Sequence, residues 1–170
     1  MIKGRVAGAL RILVDWVKSI SIALVAWFLL RTFLIEAFRI PSGSMQNTLQ
    51  IGDFLFVNKF LYGAEVPLLK AKLPAVREPA RGDIVVFDAP PQALDGAAAQ
   101  KDFIKRVVGV EGDRIAVYNN QLYRNGKPVT EGYTKEAPLY TWPEGAETGA
   151  EFTVPPGSLL VFGDNRNDSN

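Results

Sequence analysis

The chain has 170 residues, 48% of them hydrophobic, a formal net charge of +1, and neither cysteine nor histidine. That length suits one domain plus an appendage. Near-neutral charge without a basic, aromatic-interleaved stripe gives no reason to expect nucleic acid. Absent Cys removes disulfides, thiol nucleophiles and thiolate metal sites, and absent His removes the commonest general base and transition-metal ligand.

Chain order begins with an apolar segment. Ser19 to Leu30 reads SISIALVAWFLL, and after Arg31 the apolar character resumes to Phe38, interrupted by Glu36. A bilayer span needs roughly 20 residues, which Ser19 to Phe38 supplies. Arg31 would cost about 2.5–3.5 kcal/mol at the centre of a span and much less near an end, where its stem snorkels. Trp16 and Trp27 suit interfacial positions. A buried helix of a soluble core would share this composition. A cleaved signal peptide would not, because RTFLIEAFRIP follows in place of a small-residue cleavage site. The segment therefore reads as one uncleaved membrane anchor. Lys3, Arg5, Arg11 and Lys18 precede it against a single acid, Asp15, so the positive-inside rule puts the N-terminus in the cytoplasm and everything after about Arg39 outside.

From Gln50 onward the signals are mostly strands. Phe54 to Phe60, Asp83 to Phe87, Phe103 to Val110, Arg114 to Tyr118, Gln121 to Tyr123 and Ser158 to Phe162 are rich in β-branched and aromatic residues. Asn119-Asn120 and Asn125-Gly126 predict tight turns that favour positive φ. Gly-Asp precedes apolar runs at Gly52, Gly82 and Gly112; the flanks do not repeat, so the dipeptide reads as a recurrent strand-entry turn. Val66 to Ala80 and Ala89 to Gln100 predict loops. Asn119 to Gly157, poor in apolar runs, predicts a small insertion between core strands. The expected organisation is a cytoplasmic N-terminus and anchor over 1–38, a β core over 39–118, an inserted β/loop subdomain over 119–157, and a return to the core over 158–170. The sequence ends in GDNRNDSN, inside a polar turn just after a strand-like run, and is expected to continue past Asn170.

PSGSM at Pro41 to Met45 places Ser42 and Ser44 just beyond the anchor. Such a stretch is commonly no more than a turn. A serine hydroxyl becomes a nucleophile only when a base takes its proton, and without histidine the candidate is lysine. A lysine with pKa about 10.4 is charged near neutrality and must be desolvated to serve. Most lysines here lie among polar or turn residues. Lys105 differs: strand alternation in KDFIKRVVGV puts Phe103, Lys105 and Val107 on one face. An edge-strand lysine pointing to solvent is the competing reading. Ser44 follows Phe38 by only six residues, so extended chain carries it at most about 20 Å from the anchor.

Together these residues resemble the type I signal peptidases (leader peptidases), Ser/Lys membrane proteases. The likeness rests on three blocks between Arg31 and Asn170: RIPSGSMQNTLQIGDFLFVNKFLYG from Arg39, GDIVVF with DFIKRVVGVEGD from Gly82 and Asp102, and GDNRNDS from Gly163. The resemblance implies a signal-peptidase-like coiled β-sheet ectodomain, mainly β, on an N-terminal transmembrane helix. It implies Ser44 as nucleophile and Lys105 as general base. The Ser44 amide and the Ser42 hydroxyl would form an oxyanion hole, and Ser169 would orient the lysine. Phe38, Ile40, Met45, Leu49, Leu55, Phe103 and Ile104 would line narrow pockets for small residues in an Ala-X-Ala-like pattern. The implied partners are signal peptides of exported preproteins, membrane lipid and the secretion machinery, with no metal or cofactor required. The sequence departs from the family pattern at Asn47 and Glu111, where proline is usual, and has one anchor where some members have two. The competing functional readings are a catalytically inactive, membrane-anchored β module that binds exported chains and a Ser/Lys self-cleaving repressor. The latter expects a DNA-binding helix-turn-helix where this chain has an apolar segment.

Overall fold

The computed structural model describes residues 2–33, 35–63, 65–66, 71–88 and 102–169. They contain one long helix, α1, over Ile2–Phe33, with strands making up most of the remaining regular structure. Within α1, Leu10–Arg31 has 22 residues and is long and apolar enough to cross a membrane by length and composition. Leu10, Leu13, Trp16, Ile20 and Trp27 are each more than half exposed, so this is not a helix buried in the chain's own core. The expected apolar span ran to Phe38, but α1 stops at Phe33 and Ile35–Arg39 forms strand β1. The reason is tertiary: β2 (Phe54–Asn58) supplies β1 with hydrogen-bonding partners, and Ile35 and Phe38 suit a pleated strand as well as a helix.

The chain folds as two compact units, Met1–Ala37 with Phe56–Glu78, and Phe38–Leu55 with Pro79–Asn170. In the first, Lys59 Nζ lies 3.0 Å from Glu36 Oε2. The strand expected over Phe54 to Phe60 ends at Asn58, whose side chain accepts from the Phe60 amide at 3.1 Å. That bond caps a 3-10 turn over Lys59–Tyr62. At the start of the expected Val66 to Ala80 loop, β3 (Glu65–Val66) pairs with β4 (Ala71–Lys72).

The second unit carries two antiparallel sheets. In one, β5 (Ile84–Asp88), β6 (Asp102–Val110) and β11 (Leu159–Phe162) lie in the order β11-β6-β5. In the other, β7 (Arg114–Tyr118), β8 (Gln121–Arg124), β9 (Lys127–Pro128) and β10 (Phe152–Thr153) lie in the order β10-β7-β8-β9. Val108, Ile115, Val117, Leu122 and Val154 form a fully buried cluster, packed by Tyr140, Trp142, Phe152, Leu160 and Phe162. Each such aliphatic side chain contributes roughly 1.5–3 kcal/mol by leaving water. Residues 119–157 thus supply Leu122, Tyr140, Trp142, Phe152 and Val154 to the core that Val108 and Leu160 share. The expected Ala89 to Gln100 loop lies outside the described residues.

The three Gly-Asp dipeptides make one turn three times. Gly52, Gly82 and Gly112 have φ of 95°, 90° and 80°, the glycine position of a type II turn. In each, the aspartate carboxylate accepts from the amide three residues back: Gln50 to Asp53 at 2.9 Å, Ala80 to Asp83 at 2.8 Å and Val110 to Asp113 at 3.0 Å. Asn119, Asn120, Asn125 and Gly126 all have positive φ, so both predicted asparagine turns form between paired strands. The fold is mainly β with one N-terminal apolar helix, the class expected from the sequence.

Candidate functional site

The turn carrying the two serines is held from three sides. At its entry, Ile40 is buried, its amide donates to Asp53 O, and its carbonyl accepts from the Gly52 amide, each at 2.9 Å. Ser42 is extended (φ −129°, ψ 160°) and opens a 3-10 turn over Gly43–Met45 without capping it through its side chain. The hydroxyl of Ser42 is therefore not engaged as a helix cap. Met45 is 1% exposed and pins the turn to the interior. From the third side comes the last segment of the chain: the Asn165 amide donates to Ser44 O at 3.0 Å, and Asn165 Nδ2 donates to Gly43 O at 3.1 Å.

Lys105 sits on β6, opposite Val85 on one neighbour, with β11 on the other side of the sheet. β6 is central rather than an edge, and that excludes the solvent-facing edge lysine. Lys105 is 8% exposed, its amine 5.9 Å from the Phe103 ring. Burial lowers its pKa from the ordinary 10.5, because desolvation disfavours the ammonium form. Its Nζ donates to Ser169 Oγ at 2.7 Å. Just beyond, the β6–β11 register slips between Leu160 and Val161, which face Gly109 and Val107, leaving Val108 unpaired. Such bulges re-aim side chains beside functional sites.

Arg106, the next residue of β6, points to the opposite face by strand alternation and meets the same terminal segment. Its guanidinium donates to both oxygens of Asp164, at 2.9 and 2.7 Å, and to Gly82 O at 2.8 Å. The Asp164 bonds raise the Arg106 pKa further. Thr48 Oγ1 donates to Asp164 Oδ2 at 2.5 Å. Asp164 is wholly buried and so joins the serine turn, β6 and the terminal segment. Gly163 lies where these meet: a Cβ added there would collide with Ser169 Oγ and with Ser44 O.

A cavity of about 260 Å3 is lined by Ser42, Gly43, Ser44, Phe103, Ile104, Lys105 and Asp168. It gathers five of the expected site residues. Ser169 contacts it through Lys105, and both also line a neighbouring cavity of about 450 Å3 with Tyr140, Trp142, Phe162 and Arg166. Of the other expected pocket residues, Ile40 and Met45 are buried and Phe38, Leu49 and Leu55 are half-buried; none of the five is among the lining residues of the smaller cavity. Sequence reasoning did not single out Arg106, Asp164, Asn165 or Asp168. Their signal was position alone: one adjoins Lys105 and three fall within GDNRNDS. Among the described residues no cluster of acidic side chains is arranged to hold a metal ion.

The arrangement presents a hydroxyl, a desolvated amine held by a second hydroxyl, and a small open cavity beside them. Over residues 13–170 the chain matches the family described as signal peptidase, peptidase S26. It is 37% identical to Signal peptidase I of Pseudomonas aeruginosa, across 94% of this chain and 62% of that protein. It is 38% identical to a probable signal peptidase I-2 of Synechocystis, across 89% and 61%, and 35% identical to Signal peptidase I P of Bacillus subtilis subsp. natto, across 92% and 76%. The chain thus spans about 62% of the length of the Pseudomonas relative. With a family match covering nearly all of its length, the chain belongs to the signal peptidase family, peptidase S26.

Proposed function

We propose that this chain carries the catalytic centre of a membrane-bound signal peptidase I, a serine endopeptidase that removes N-terminal signal peptides from exported preproteins after small, Ala-X-Ala-like residues. One observation carries the reading: buried Lys105, bonded to Ser169, lines the same small cavity as Ser42 and Ser44. Neutral Lys105 takes the Ser44 proton as Oγ attacks the carbonyl carbon. The Ser44 amide and Ser42 hydroxyl take the charge on the carbonyl oxygen; one such donor is worth about 2.7–4 kcal/mol in the transition state. Collapse breaks the C–N bond, the Lys105 ammonium returns its proton to the departing amine, and an acyl-enzyme remains. Lys105, neutral again, then deprotonates the water that hydrolyses it.

The small cavity favours small side chains next to the scissile bond. α1 serves as the anchor, with its basic N-terminal flank in the cytoplasm and the β body on the extracytoplasmic side. A signal peptide presents its cleavage site just after its apolar region, so the scissile bond emerges near the bilayer, and Ser44 follows the end of α1 by only eleven residues in sequence.

The test is cleavage of a preprotein by the full-length protein in lipid vesicles. Ser44→Ala and Lys105→Ala should each abolish cleavage, and a serine-directed acylating probe should label Ser44. Undiminished cleavage by either variant overturns the assignment.

A further inference from the structure

We propose that Asn47 is a positioning residue: its side-chain amide ties the segment 131–135 to the turn that bears Ser44, and through that segment holds the nucleophile turn and the Lys105-orienting turn in register. The inference rests on the Ser44/Lys105 reading above and extends it to a part of the molecule that lines neither cavity.

Asn47 has φ of 88°, the left-handed region that a non-glycine residue seldom adopts and that asparagine tolerates best. In that conformation its Nδ2 donates to Tyr133 O at 3.1 Å. Its neighbour Gln46 takes part as well, accepting from Lys135 Nζ at 3.3 Å. The same segment is tied to the terminal turn. The Lys135 amide donates to Asp164 O at 3.1 Å. Tyr133 donates its hydroxyl to Glu131 Oε1 at 2.6 Å, and Glu131 accepts from buried Arg166 at 2.6 Å. Arg166 Nε donates to Gly163 O at 2.8 Å, and Gly163 is in contact distance of both Ser169 and Ser44. The Tyr133 ring lies 4.0 Å from the Arg106 guanidinium.

A continuous path of contacts results, running from Ser44 through Asn47, Tyr133, Glu131, Arg166, Gly163 and Ser169 to Lys105. Its other hydrogen bonds are buried or partly buried. The Asn47 link is exposed and neutral, so it is the point at which the path opens most easily. A proline at this position, fixed near φ −65°, could make neither the turn nor the bond.

Three substitutions separate the contributions. Asn47→Asp keeps the left-handed preference but sets a carboxylate against the Tyr133 carbonyl. Asn47→Gly keeps the turn and removes the donor. Asn47→Pro removes both. Full-length variants are assayed on a preprotein in vesicles. Losing one neutral hydrogen bond should lower kcat about three- to tenfold in Asn47→Asp and Asn47→Gly, with KM and the unfolding temperature nearly unmoved. Combining Asn47→Gly with Lys135→Met should cost less than the product of the single losses, because both tethers hold one segment. A merely structural role would instead lower the unfolding temperature, with activity following the folded fraction. Amide hydrogen exchange at 131–135 should quicken in Asn47→Asp, a readout independent of catalysis. Wild-type kcat in both Asn47→Asp and Asn47→Gly, or exchange unchanged at 131–135, overturns the tether. If the unsubstituted protein cleaves no preprotein, the functional reading fails, while the exchange measurement still decides the tether.

Discussion

Lys105 donates its side-chain amine to Ser169 Oγ at 2.7 Å across 64 positions of sequence. The bond fixes where the amine of a buried lysine points, and burial depresses that lysine's pKa below 10.5. Catalysis through the neutral amine then requires kcat/KM to rise with pH along a limb whose midpoint lies below 10.5, since this ratio reports the free enzyme's essential base. Ser169→Ala leaves the amine in place but unaimed, and should lower kcat roughly ten- to a hundredfold with the limb retained. A pH–rate profile without such a limb would contradict the role given to Lys105.

Gly163 tolerates no side chain. A Cβ would press on Ser169 Oγ and Ser44 O together, and the Ser44 carbonyl is already fixed by the Asn165 amide at 3.0 Å. Gly163→Ala should therefore separate the turn that bears Ser44 from the turn that bears Ser169. The expected result is a loss of at least about a hundredfold in kcat, with an overpacking cost of about 1–3 kcal/mol in thermal unfolding. Activity near that of the unsubstituted protein would show that the two turns move apart freely.

The pair formed by Arg106 and Asp164 is buried, with side-chain exposures of 12% and 0%. Asp164→Asn leaves the guanidinium without its counter-charge in a site that water barely reaches. Removing one partner of such a pair costs about 3–5 kcal/mol, or roughly 6–20 °C in the midpoint of thermal unfolding for a chain of this size. Arg106→Met combined with Asp164→Leu should recover much of the loss, because neither charge is then stranded. Calorimetry of both proteins in detergent decides it.

Asp113 couples acid pH to stability. Burial alone would raise its pKa, but bonds from Arg81, the Val110 amide and Asn125 bring it from 3.8 down to about 2. The folded pKa lies below the unfolded one, so the stabilisation is present above pH 3.8 and is lost as pH falls through about 2. Arg81 is half exposed, so screening limits the contribution to roughly 1–2 kcal/mol. Asp113→Asn should lose that amount at neutral pH and show a shallower fall in stability between pH 3.8 and about 2, read by urea unfolding of the full-length protein.

How far the sequence carries the reading differs from residue to residue. The strand containing Lys105 was legible because Phe103 to Val110 is β-branched and apolar enough to admit few alternatives. So were the Gly-Asp and asparagine turns, whose geometry is set by residues three apart. β1 was not legible, since an apolar run next to a helix reads as more helix until β2 arrives from some twenty residues downstream. Asp164, Asn165 and Arg166 look like solvated turn residues in sequence, yet all three are buried. Their burial depends on Arg106 and Glu131, 58 and 35 positions away, and no local pattern encodes such distances.

By itself the sequence determined the apolar N-terminal helix and the mainly β body, and, with no histidine among its residues, it pointed to lysine as the candidate base for a serine in PSGSM. These follow from composition and from periodicities two to four residues long. The tertiary structure decided that β6 is central, flanked by β5 and β11, so that Lys105 is buried. It also decided that the GDNRNDS segment folds back between Ser44 and Lys105. Long-range pairing, rather than local propensity, selects both, because burying a charged or polar group is favourable only where distant partners satisfy it.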